Sequence, residues 1–311
     1  MNKPNKRIML LIVIIIIVAV ILIGGGVAYY YYATKNKSQL ILSTENQKDL
    51  EKKFMTAIFN NSSQFVDYKN IANEGNISTL KDSSYLIWKP TDKEMSQQDG
   101  LSDFVKSGYY MGTEWISIPE GHLISTPLSS YKTNENGKSR IYFLVETMLN
   151  YCHACGPFLG GAVFEKSGNY WKPVYINKYI GVYGNWGNLG KPNLFSIGDN
   201  KKAFEFQMSD MGQGIRWEGI AIYYFVNNEF HEILQIDTGG DNSGATESSE
   251  EIYDWSSTIT TKPNPNSDFY DIVVKKTGTD MNSDNSKIVQ VDGIDIYRWN
   301  NSKNEYEKIT K

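Results

Sequence analysis

The sequence predicts a mainly β protein with a single N-terminal transmembrane helix. A short juxtamembrane amphipathic helix comes next, then an antiparallel β domain, propeller-like or sandwich. Three observations carry this. Sixteen consecutive apolar residues run from Ile8 to Ile23. The chain beyond them is rich in Tyr and Trp and poor in sustained helical periodicity, a composition that suits half-buried strands. One pattern, an apolar strand, a polar turn and a return strand opening on an aromatic, recurs three times.

The apolar run extends through Gly24–Gly26 to Tyr29–Tyr32, so residues 8–33 carry no charge. A helix of about 20 residues crosses a hydrocarbon core of about 30 Å. Lys3, Lys6 and Arg7 precede the run, and the positive-inside rule keeps residues 1–7 as a cytoplasmic tail. The bulk then lies outside the plasma (inner) membrane, with the four tyrosines at headgroup level. Gly26–Val27–Ala28 has the small residues of a signal-peptide cleavage site, but the run exceeds the usual apolar core of about 7–15 residues. The expected anchor is uncleaved, and the lipid bilayer is its partner through residues 8–33.

Three of the 31 basic residues and none of the 35 acidic ones precede residue 34, which leaves the remainder at −7. An acidic domain without a long basic run is a poor partner for nucleic acid, and by composition also for anionic headgroups.

Residues 34–63 read as linker and juxtamembrane helix. Thr44 and Gln47 form a capping box, and Leu50, Phe54, Ala57 and Ile58 succeed them at helical spacing, predicting a helix over 44–60 that packs on the exported domain. Residues 64–311 form the extracytoplasmic β-rich domain. Tyr85–Lys89 and Trp115–Ile118 are apolar runs ended by proline, as strands are, and 97–107 has room for a helical turn. Asn136–Gly137 is a hairpin turn before the strand Arg140–Glu146. The recurring hairpins are Ala162–Glu165 with Tyr170–Val174, Ile220–Phe225 with Phe230–Leu234, and Asp295–Trp299 with Tyr306–Ile309. Their spacing is irregular, unlike the near-constant blade length of a regular propeller. Of two loops, Gly181–Gly190 is rich in glycine and aromatics, whereas Asp237–Glu251 is acidic, and its composition predicts an exposed, mobile segment.

Cys152-His153-Ala154-Cys155 holds the only two cysteines. In an oxidising compartment they are expected to form a tight disulfide that pins the turn, with His153 at its tip. A thioredoxin-type centre needs a helix after the first thiol, but Gly156–Gly161 contains one proline and three glycines and then enters a strand. Covalent haem attachment needs a histidine where Gly156 stands. A zinc site would have to recruit His153, His122 or His231, without a second close-spaced ligand pair. Asp280, Asn282 and Asp284 place oxygens at alternate positions, a weak calcium-loop pattern opposed by Lys287 and by the lack of a closing glutamate. No cofactor is implied, and no phosphate-cradling loop, metalloprotease helix or nucleophile elbow is present.

From Arg140 onward the chain resembles uncharacterised bacterial envelope proteins. The resemblance rests on Cys152-His-Ala-Cys155-Gly-Pro157, Gly161-Ala-Val-Phe-Glu-Lys-Ser-Gly-Asn-Tyr-Trp171 and Tyr297-Arg-Trp299 with Tyr306. It implies a bacterial origin and no mechanism. The expected function is a membrane-anchored extracytoplasmic binding or assembly module, with an envelope protein or a glycan as partner and no catalytic set. The rival is a thiol–disulfide or metal-dependent enzyme centred on Cys152 and Cys155.

Overall fold

The computed structural model describes residues 40–41, 47–59, 64–67, 84–97, 109–111, 114–116, 121–135, 137–148, 156–182, 184, 189–246, 248, 251–282 and 287–309. Among them no helix is long and apolar enough to cross a membrane. The expected anchor, residues 8–33, lies outside the described residues.

The predicted amphipathic helix forms as α1, Gln47–Phe59. Phe54, Met55, Ile58 and Phe59 are buried, and Leu50 and Ala57 pack at their border, so the predicted stripe faces a sheet rather than water. The short helix α2, Asp92–Gln97, precedes the segment in which a helical turn is predicted. It starts there because Thr91 and Glu94 cap each other: the Glu94 backbone N–H donates to Thr91 Oγ1 (3.2 Å), and the Thr91 N–H donates to Glu94 Oε2 (2.8 Å). Residues 98–107 lie outside those described.

Two antiparallel sheets make up the rest. The first contains β1 (Leu40–Ile41), β2 (Gln64–Asp67), β3 (Ser84–Trp88), β6 (Leu123–Glu135), β7 (Lys138–Met148), β8 (Phe158–Ser167) and β9 (Tyr170–Val182), in the order β1-β9-β8-β7-β6-β3-β2. A separate small pair is β4 (Tyr109–Met111) with β5 (Glu114–Ile116). The second sheet runs β10 (Asn193–Gly198), β11 (Lys201–Gly212), β12 (Ile215–Val226), β13 (Glu229–Asp241), β14 (Asp254–Lys262), β15 (Asp271–Met281), β17 (Gly293–Asn300) and β18 (Glu305–Lys308), with β16 (Ile288–Gln290) beside β15.

The predicted hairpins are therefore consecutive ribs of two continuous sheets and not separate blades, which corrects the propeller-like alternative. Their turns use residues that tolerate positive φ: Asn227 and Asn228 stand at 53° and 65° between β12 and β13. The strands are also longer than their apolar cores predict, because pairing carries on into polar ends.

The first sheet is covered on both faces at its central strands, β7 and β8. On β7 the side chains alternate, with Ile141, Phe143 and Val145 packing toward α1 while Tyr142 and Leu144 meet the second sheet. The sheets approach closely at Gly161, where a Cβ would lie 2.8 Å from Ile180 Cδ1 and 3.0 Å from Phe230 Cε2. The second sheet puts Phe204, Phe206, Tyr223, Phe225 and Phe230 into that interface. Its other face curls into a half-barrel around Ile220, Ile222, Ile233, Ile272, Val274 and Trp299. The curl is fastened where the Tyr270 N–H donates to the Ile197 carbonyl (2.8 Å) and Phe269 stacks on Trp299 at 4.0 Å.

Part of the acidic segment is strand, and the described residues 243–245 beyond it are exposed as predicted. β13 continues to Asp241, and Asn242 fastens both ends of the loop beyond it: its Nδ2 donates to the Glu251 carbonyl and its Oδ1 accepts the Tyr253 N–H, both at 2.8 Å. Gly214 sits against Gly244 so tightly that a Cβ would come within 2.1 Å of its carbonyl carbon.

Candidate functional site

The half-barrel changes character along its length. Inward-facing residues run Ile272, Val274, then Lys276 on β15, and Ile259, Ser257, then Trp255 on β14. On β17 they run Trp299, Tyr297, then Asp295; on β13 Ile236 faces inward, while its neighbour Asp237, on the opposite face with Trp217, only borders the cleft. Strand register sets the series on β14, β15 and β17 side by side, so the apolar core gives way to polar and aromatic groups at one end. A cleft of about 620 Å³ opens there, with Ile236 and Val274 at its floor.

Each wall residue is held. Gly240 faces Trp255 across the β13–β14 pairing and leaves room for the indole, since a Cβ there would lie 2.7 Å from Nε1. Lys276 Nζ lies 3.5 Å from the centre of a Trp255 ring and 2.8 Å from Asp280 Oδ2. Trp217 Nε1 donates to Asp237 Oδ1 (2.9 Å), and Lys308 pairs with Asp295 Oδ2 (2.8 Å). Burial, followed by the charge of Asp295, pushes the Tyr297 phenol up; Lys308 pulls it the other way, and Asp237 adds a smaller push. A carboxylate has about four acceptor positions, so these aspartates retain acceptors beyond the donors they already hold. With Gln235 and Ser257 in the lining, the cleft offers hydrogen bonds beside two aromatic walls.

A second unusual group lies between the sheets. Glu146 on β7 is buried, and its Oε2 accepts the Leu189 N–H (2.9 Å). Leu189 belongs to the glycine-rich connection that carries the chain from β9 to β10. Thr126, opposite Glu146 on β6, has a buried Oγ1 with no hydrogen-bond partner among the described residues. Burial pushes the Glu146 carboxyl up to about 7, against the lowering effect of the Leu189 N–H.

The residues singled out by sequence fall differently. Cys152, His153 and Cys155 lie outside the described residues, as does Asp284. His122 sits just before β6, and His231 is on β13, 3.9 Å from Glu229. Among the described residues no three His, Cys, Asp or Glu side chains converge as a metal site requires. In the calcium-loop pattern, Asp280 accepts Lys276 and the Met281 N–H, and Asn282 Oδ1 accepts the Lys287 N–H (3.1 Å). These oxygens serve local protein donors. Trp255, Tyr297, Asp237, Lys276 and Glu146 are the residues that sequence reasoning misses. No local sequence signal marks the cleft residues, because strand register alone brings them together.

Compared with protein-family models, curated proteins and solved structures, the chain matches none.

Proposed function

We propose that the protein is a single-pass binding module of the bacterial envelope. Residues 8–33 anchor it in the plasma (inner) membrane, the β-rich bulk lies outside, and the cleft at the open end of the half-barrel holds a hydroxyl-rich glycan. The observation that carries this reading is the switch of the inward face from apolar core to Trp255, Tyr297, Asp280 and Asp295 around a cleft that Asp237 also borders. Aromatic faces stack on the apolar faces of sugar rings, and carboxylate, amide and hydroxyl groups bond to sugar hydroxyls. The uncharged run at 8–33 and the basic residues before it support the anchor.

The test is calorimetric titration of the full chain in lipid nanodiscs with soluble peptidoglycan fragments. Trp255→Ala is expected to weaken binding by about tenfold or more, equivalent to about 1.4 kcal/mol, with the unfolding transition retained. Equal affinities for Trp255→Ala and the parent chain would overturn the proposal, as would the absence of binding for every fragment.

A further inference from the structure

We infer that one end of the seven-stranded sheet docks on the anionic surface of the bilayer and holds the cleft away from it. The inference rests on the anchored reading above. Three observations lead to it.

The first is the tether. Leu40 and Ile41 pair with Trp171 and Tyr170 at the start of β9, so the described fold meets the N-terminal segment at that corner. Only residues 34–39 separate this corner from the expected span, a reach of about 20 Å when fully extended. The corner therefore cannot move far from the headgroups.

The second is charge. Strand register gathers Lys132, Lys138, Arg140, Lys166 and Lys172 at this same end, beside the tips of the β6–β7 and β8–β9 hairpins. All four lysines are exposed. Opposing them on these strands are Glu135 and Glu165. Glu165 is already engaged by Lys138 (2.9 Å) and Arg140 (3.2 Å), and Glu135 lies 3.6 Å from Arg140. The end is net basic in a region whose overall charge is −7. Juxtamembrane lysines and arginines are drawn to an anionic surface. Composition averaged over the domain conceals this polarity.

The third is the position of the cleft. Phe230, at the start of β13, meets Tyr142 in the basic half of β7 (ring centres 6.1 Å apart), whereas Asp237 stands seven residues further along β13. One bulge lies between them, so at strand rise that separation is about 20 Å. Docking through the basic end thus leaves the cleft facing outward.

The experiment is lysine acetylation footprinting by mass spectrometry on the full chain, reconstituted in vesicles of phosphatidylcholine alone or with phosphatidylglycerol. Phosphatidylglycerol is expected to protect Lys132, Lys138, Lys166 and Lys172 at least about threefold, with on the order of 0.5 M salt abolishing the protection. Lys287, beyond the cleft, should label equally in both vesicles. Equal labelling of the four lysines in a chain that stays with the vesicles after alkaline carbonate overturns the docking and leaves the anchor intact. Release of the chain by carbonate overturns both.

Discussion

The two sheets bury their apolar surface by different means. The first is sandwiched between α1 and the second sheet, and the central strands β7 and β8 show long continuous buried stretches. The second covers one face with the first sheet and must close on itself to cover the other. Closure is incomplete, so its inward face runs out of core at one end, and the cleft lies there. A sheet covered on both faces is a scaffold with nowhere to hold a ligand, whereas a partly closed one offers a concave, mixed surface by construction.

The contrast is sharpest where substitutions should have unequal costs. Phe164, stacked on Phe54 at 3.9 Å under α1, belongs to the scaffold. Phe164→Ala is expected to cost about 3–5 kcal/mol in denaturant unfolding. A cost below about 1 kcal/mol would show that α1 and the first sheet are not one packed core.

Glu146 comes next. Its folded-state pKa is raised, so the folded protein prefers the protonated acid. The stabilisation is fully present below the ordinary glutamate value and is lost as pH climbs toward about 7. Linkage puts the loss on the order of 3 kcal/mol, and Glu146→Gln should flatten the profile across that window while keeping an acceptor for Leu189. Parallel profiles for the two chains would contradict the burial argument.

In the half-barrel, Asp271 accepts Arg298 Nη2 and Asn264 Nδ2, both at 2.8 Å. The guanidinium holds its carboxyl below the usual range, so this contribution is present above the ordinary aspartate value and lost as pH falls below it. Arg298→Ala should lower the denaturant midpoint at neutral pH, and the gap from the parent chain should close as pH falls below the ordinary aspartate value. The smallest stability effect is expected at the cleft. Trp255→Ala should change unfolding by under about 1 kcal/mol while weakening ligand binding by about tenfold or more, the reverse of Phe164→Ala.

Much of the scaffold is legible in the sequence. The α1 stripe at Leu50, Phe54 and Ile58 obeys the helical period, and Asn–Gly and Asn–Asn turns mark hairpins. Legibility fails where the period disappears: Ile141–Met148 is buried on both faces and shows no alternation to locate its partners. It fails again at β14, whose inward residues Trp255, Ser257, Ile259 and Thr261 mix polar with apolar and come after an acidic loop. The cleft draws on β13, β14, β15 and β17, and only register brings Lys276 opposite Ser257 and Asp295 opposite Val274. Glu146 reads as an ordinary strand charge until the second sheet covers it.

The most direct measurement is photo-crosslinking of a diazirine-bearing peptidoglycan fragment to the full chain in nanodiscs, with the attachment sites mapped by mass spectrometry. Adducts concentrated on β14, β15 and β17 around Trp255, Lys276 and Tyr297, and displaced by unlabelled fragment, are the result expected of a ligand in the half-barrel mouth. Displaceable adducts on α1 or the seven-stranded sheet, with none on those three strands, would contradict it.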